Sequence, residues 1–341
     1  MLTTLDFVVI AAYLLGVAVF GIWAGGGQES TDDYFLGSRD LPWWAVCFSV
    51  VATETSTLTV VGVPAVAYGG TLTFLQITLG YLAGRILVGI YLLPRYYAGK
   101  LQTAYAFLGH RYGDNMQAVA SVTFLGTRLL ADGVRLFATA IPIKVIADMA
   151  GLEVTYFQVI LVIGVVTAIY TLVGGIRAVV WMDVVQMLLY VGGALAAIGF
   201  LLGDVPPGLS GLILAGIVAA AMSSLSSSLN ALASSSVNDL YEHIVGRPLG
   251  ADRGLLVSRL LTLFWGVVFI GFASLFQDSN NPVVELGLSI ASFTYGSLLG
   301  VFLLGLWHER SQEADAIVAF VVTIGVMILV IFGVWHSPAD G

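Results

Sequence analysis

Ten separate apolar stretches, each long enough to cross a bilayer, constrain this 341-residue chain more than any motif within it. An α-helix rises 1.5 Å per residue, so about twenty apolar residues match a hydrocarbon core about 30 Å thick. Such stretches lie at roughly 5–25, 42–68, 72–97, 117–147, 154–173, 178–202, 209–237, 255–276, 282–307 and 314–335. The expected fold is therefore all-α and polytopic, because the bilayer core offers the backbone no water and helices satisfy their amides internally. Charged residues make up only 10% of the chain, against about 25% in soluble domains, too few to cover a water-exposed surface. No basic residue precedes the first apolar run, so the reading is a retained helix and not a cleaved leader.

Cytoplasmic loops of membrane proteins carry an excess of Lys and Arg. With ten spans and the N-terminus outside, Arg39, Arg95, Lys100, Arg111, Arg177, Arg247, Arg253, Arg259 and Arg310 all fall on or beside inner loops. The outer connections carry none. This predicts a multi-pass protein of the cell membrane, plasma or inner, with the lipid bilayer as its main partner. Arg85, Arg128, Arg135 and Lys144 lie within the spans, where an ionised side chain costs about 2.5–3.5 kcal/mol at the centre. Arg128, Asp132 and Arg135 are spaced four and three residues apart and can pair on one helical face. Arg85 has no local partner, so its side chain is expected to snorkel towards an interface.

Several function classes drop out on the same residues. A single cysteine, Cys47, excludes an intrachain disulfide, and His110, His243, His308 and His336 lack metal-ligand spacing. No Asp and His pair sits at catalytic spacing within a span, so no enzyme is expected. A GxxxxGK[ST] loop for ATP is absent, and the net charge of −8 argues against nucleic acid. No cofactor is expected.

The second span breaks its apolar run with ATETSTLT at 52–59, followed by Gly62 and Pro64. Hydroxyl side chains and a proline weaken helical hydrogen bonding, and the freed carbonyls need protein, water or an ion. Discontinuous helices at the midplane are a pointer to transporter ion sites, with open carbonyls suited to a hard cation such as Na⁺. A proline kink steadied by Ser and Thr fits this segment equally well. The seventh span adds a different signal. Ala220, Ser223, Ser224, Ser227, Ala231 and Ser234 recur every three or four residues, so one helix face is small and hydroxyl-bearing. Close helix packing accounts for the small residues. The hydroxyls also suit a weak, releasable site of neutral oxygen ligands.

The segments AAAMSSLSSSLNALASSSVNDLY at 219–241 and GGIRAVVWMDVVQ at 174–186, taken with the broken second span, resemble the sodium:solute symporter family, whose carriers take up sugars, proline, iodide, vitamins and monocarboxylates. The resemblance covers nearly the whole chain. It implies a LeuT-like core of two inverted five-helix repeats, with Na⁺ as coupling ion and a small organic solute or anion as cargo. It also implies a sodium site built from the backbone carbonyls of Ala52, Thr55 and Ala220 and the hydroxyls of Ser223 and Ser224. Asp183 falls on an acidic position that in some members serves a second sodium or its release path. As a plainer reading, Asp183 follows Gly174 and Gly175 and would complement a helix dipole in the first turn. Glu54, Ser56, Thr57 and Gln76 are the candidates for facing the solute.

The spans do not fill the family plan. One leading helix at 5–25 precedes core helices one to five at 42–202, and the seventh span matches core helix eight, so that 209–307 holds core helices eight to ten and 314–335 a trailing helix. Core helices six and seven have no counterpart, and the expected deletion junction is 203–208. Losing an even number of spans preserves the orientation downstream. Two outcomes follow for this single transmembrane domain: sodium-coupled symport by alternating access, or a transport-inactive relic or scaffold that keeps the frame.

Overall fold

A computed structural model describes residues 4–70, 72, 75–99, 101–203, 208–245, 250–276, 283–308 and 310–331. The chain is helical, with no strand among the described residues. It begins with α1 (Thr4–Gly25), a short α2 (Thr31–Leu36) and α3 (Trp43–Glu54). A π-helical turn, Leu58–Gly62, leads into α4 (Val63–Gly69). Then come α5 (Leu75–Tyr91), α6 (Leu93–Gly99), α7 (Tyr105–Tyr112), α8 (Asp114–Met149) and α9 (Tyr156–Leu202). The chain continues through α10 (Leu209–Ser235), α11 (Glu242–Val245), α12 (Ala251–Ala273), α13 (Val283–Trp307) and α14 (Glu313–Ile331).

Five of these helices are long and apolar enough to cross a bilayer individually, and the bent α3–α4 pair makes a sixth. α9 supplies two of the expected spans. Gly175 interrupts it at φ 56°, ψ −154°, a conformation that side chains with a Cβ resist. In a straight helix Tyr170 and Met182 would stand about 18 Å apart. Both instead pack against Gly21 of α1, so the chain doubles back at Gly175. Gly25 of α1 meets the Gly174 backbone directly, which a side chain on either would prevent. The carbonyls that the turn strips of helical partners are covered by Tyr34 of α2. Its fully buried ring carries a hydroxyl 3.2 Å from both the Thr171 and Leu172 carbonyls and 3.0 Å from Thr262 Oγ1. Of the expected junction 203–208, residues 204–207 lie outside the described residues, as do 332–335 of the trailing span.

The main core joins α1, α8, α9, α10 and α12 around Tyr170, Phe137, Met222, Leu229 and Phe269. A second cluster, around Leu108, Met116, Phe302 and Phe320, joins α7, α8, α13 and α14. Arg111 ties that cluster down, donating to the carbonyls of Gly305 and His308. α4 and α5 belong to neither cluster: α4 buries no residue, and every described side chain of α5 is exposed.

Candidate functional site

The centre of the site is the place where α3 ends early. Thr55 leaves helical geometry at φ −85°, ψ 88°, and the axis on the far side is bent by 63°. The Thr55 N–H and Oγ1 both return to the Val51 carbonyl, at 3.0 and 2.9 Å. Beyond the break, the Ser56 carbonyl accepts from the N–H groups of Thr59 and Val60. The Ala52 carbonyl is left with no hydrogen bond among the described residues. The break is thus a real discontinuity, as the hydroxyl-rich run ATETSTLT and Pro64 suggested.

Against this break lies the hydroxyl face of α10. Ala52 and Ala220, both fully buried, pack together with Tyr190. Ser224 Oγ donates to the Thr53 carbonyl at 2.9 Å, and the hydroxyls of Thr53 and Ser227 are 2.7 Å apart. The residues expected to hold sodium therefore converge on one locus: Ala52 and Thr55 from the end of α3, Ala220, Ser223 and Ser224 from α10. No group of three or more His, Cys, Asp or Glu side chains stands close enough to hold a metal among the described residues. The groups gathered here are carbonyls and hydroxyls, the neutral oxygen types that a weakly held monovalent ion would accept.

Asp183 is not where the dipole reading placed it. It sits eight residues beyond the Gly175 turn and is fully buried. Ser49 Oγ donates to one carboxylate oxygen at 2.5 Å and Ser223 Oγ to the other at 2.6 Å. Ser223 thereby links Asp183 to the sodium candidates; Ser49 and Thr53, which sequence reasoning did not single out, join the set together with Ser227. Ser227 was visible in the α10 periodicity. Ser49 carried no comparable signal, because one serine in an apolar run is ordinary.

Beside the locus a small cavity is lined by Ser56, Thr57, Asp132, Arg135, Thr139 and Ser224. Thr57 is buried, donating to the Ile217 carbonyl at 3.3 Å and accepting from Thr139 at 2.9 Å. Two of the four solute candidates, Ser56 and Thr57, line this cavity; Glu54 and Gln76 do not. Glu54 instead pairs with Arg85 of α5, so Arg85, which has no local partner, finds one 31 positions earlier in the chain. Gln76 is exposed on α5. The ion cluster on α8 is present as its spacing implied: Asp132, 2% exposed, receives Arg128 and Arg135, each at 2.9 Å. Two guanidinium groups share one carboxylate, so one positive charge is left over at the cavity wall.

The profile of the sodium:solute symporter family matches this chain in two segments, residues 34–205 and 197–323. A sodium/sialic acid symporter of Aliivibrio fischeri is 23% identical over 448 aligned positions, covering 96% of this chain and 88% of the relative. The human sodium/iodide cotransporter is 32% identical over 191 positions, covering 55% of this chain and 29% of that protein. Among solved structures, a Na⁺-coupled sialic acid symporter in a substrate-bound outward-open state superposes with a TM-score of 0.85, covering 97% of this chain and 93% of that one. At 21% identity, that likeness carries the fold.

Proposed function

The chain belongs to the sodium:solute symporter family, a family of transporters and not enzymes, and from that membership we propose that it moves a small organic solute or anion inward with Na⁺ by alternating access. The observation that supports this most is the meeting of two incomplete structures: a helix that ends with an open carbonyl at Ala52, and a helix face of hydroxyls opposite it. The Na⁺ ligands are the carbonyls of Ala52, Thr55 and Ala220 with the hydroxyls of Ser223 and Ser224. Asp183, reached through Ser223, serves a second Na⁺ or the release path of the first. Ser56, Thr57 and Thr139 face the solute, and the surplus positive charge at Arg135 favours an anionic one.

The driving force suffices. At about 100 mV one inward charge yields roughly 2.3 kcal/mol, and a tenfold Na⁺ gradient adds about 1.4 kcal/mol. Together these support several-hundredfold accumulation per sodium. The outside N-terminus and the ten spans belong to the same proposal, on the strength of the Lys and Arg asymmetry.

The absence of core helices six and seven is part of the reading. Two findings support it: the family profile restarts at 197, beside the expected junction, and the alignment with the sialic acid symporter is longer than the chain it aligns. A relic that binds Na⁺ but carries nothing is the competing outcome. Radiosodium binding to purified protein, compared with Ser223→Ala/Ser224→Ala, tests the ion site, and uptake of carboxylates and neutral solutes into proteoliposomes tests transport. Saturable binding lost in the double variant, with Na⁺-driven uptake of one solute, is expected. Binding without flux for any solute would leave only the relic.

A further inference from the structure

We propose that the hydroxyl of Tyr190 is a further ligand of the ion locus, so that α9 forms a third wall of the site beside α3 and α10. The inference rests on the sodium reading above and adds a residue that neither the spacing nor the resemblance singled out. Tyr190 is only 7% exposed, and its side chain packs in one cluster with Ala52 and Ala220, whose carbonyls are assigned to Na⁺. Its hydroxyl is enclosed yet makes no hydrogen bond among the described residues. Polar neighbours are at hand, since the Thr55 side chain and the Asp183 carboxylate both lie near enough to act on it. They are engaged elsewhere. Thr55 Oγ1 donates to the Val51 carbonyl, and the two Asp183 oxygens accept from Ser49 and Ser223.

Helical geometry explains why the hydroxyl arrives there. Tyr190 follows Asp183 by seven residues, close to two turns, so the two project from α9 within about 20° of each other. Long helical side chains lean back towards the N-terminus, which carries the phenol from its own turn towards Asp183 and the end of α3. One cluster therefore holds two buried oxygens without partners, the Tyr190 hydroxyl and the Ala52 carbonyl. A phenyl ring would fill the space against the two alanines equally well. It would also avoid the cost of a buried hydroxyl that has given up water and gained no hydrogen bond. What the hydroxyl adds is an oxygen with free lone pairs. A hard monovalent cation accepts neutral oxygens of this kind, and its arrival would satisfy the phenol and the carbonyl together.

The test is radiosodium binding to the purified full chain, parent against Tyr190→Phe, with thermal melts in sodium-free choline buffer. Losing one neutral oxygen contact should weaken Na⁺ binding about three- to tenfold. The sodium-free melting temperature should hold or rise, because no hydrogen bond is removed, while the rise that Na⁺ gives the parent should shrink. Li⁺ is smaller and accepts fewer oxygens, so the ratio of Li⁺ to Na⁺ affinity should increase in the variant. A sodium-free melt below that of the parent, or a variant that does not fold, would show a structural partner for the hydroxyl and overturn the proposal. Unchanged Na⁺ affinity at an unchanged melt, as a buried water on the hydroxyl would give, also overturns it. In that case the sodium site itself stands if Ser223→Ala/Ser224→Ala still abolishes binding. No saturable binding in the parent would overturn the sodium reading and this ligand with it.

Discussion

α10 and α5 are both helices with glycine and polar residues in an apolar sequence, yet they end in opposite surroundings. α10 buries Ala219 through Leu225 without interruption, and its serines find Thr53, Asp183 and each other. α5 buries none of its described residues, and its one charged side chain pairs at the surface. Hydropathy does not separate the two. What separates them is the number of neighbours a polar group has at the depth where it sits. The hydroxyls of α10 are satisfied between them by α3, α9 and their own helix. Arg85 has Glu54 and the Tyr81 ring of its own helix beside it. The first arrangement is the one proposed to hold an ion; the second leaves its ion pair at the surface.

Removing charge should expose that contrast most strongly. Asp132→Ala leaves Arg128 and Arg135 without their shared carboxylate and should cost about 3–5 kcal/mol, read as a large fall in thermal unfolding temperature in detergent. A melt unchanged from the parent would show that water from the cavity already solvates Arg135. Next in size is Ser223→Ala, which deletes a hydrogen bond to a buried carboxylate and should destabilise by about 1–3 kcal/mol. Its Na⁺ affinity, measured by radiosodium binding, should drop at least tenfold. If stability falls and affinity does not, Ser223 is structural and the ion sits elsewhere.

A pair of glycine substitutions compares the helices directly. A Cβ on Gly216 of α10 would stand 3.1 Å from Tyr190 Cα, so Gly216→Ala should cost about 1–3 kcal/mol by overpacking against α9. Gly84→Ala on α5 meets open space and should change the unfolding midpoint of the detergent monomer by no more than about 0.5 kcal/mol. Equal effects would mean α5 is packed more tightly than its surroundings show. The smallest effect is expected from Glu54→Gln in monomeric protein. An exposed pair contributes about 0–1 kcal/mol, so equilibrium unfolding should barely move. A loss of several kcal/mol would put Glu54 in an enclosed site.

Much of the helical plan was readable from residue spacing. Positions three and four apart on one helix meet whatever the fold, which is why the Arg128–Asp132–Arg135 cluster and the α10 hydroxyl face could be read directly. The break in α3 was legible for a similar reason, since clustered hydroxyls and a proline act on the local backbone. The reversal at Gly175 was marked by Gly174 and Gly175, but its tightness depends on Tyr34, which lies 141 positions earlier and shows no periodic signal. By residue spacing alone the candidate site was legible only where one helix supplied both members of a pair; the meeting of the broken helix with the serines came from the family resemblance. Ser49, 134 positions from Asp183, and Glu54, 31 positions from Arg85, were not, because nothing in a linear pattern says which face of one helix meets which face of another.

By itself, then, the sequence determined that the chain is a set of membrane helices, where one of them breaks, and which face of another carries oxygen. Those are consequences of hydropathy, hydrogen bonding and the 3.6-residue turn, all of which act within one segment. The tertiary structure brings the broken end of α3 against the serines of α10, as the resemblance implied, and it alone decided that Asp183 joins them through Ser49 and Ser223 and that Arg85 finds Glu54. The reason is physical: in lipid every apolar face is acceptable against every other, so the pairing of helices is settled by small-residue fit and by the few polar groups that must be satisfied, and those become neighbours only when the chain has packed.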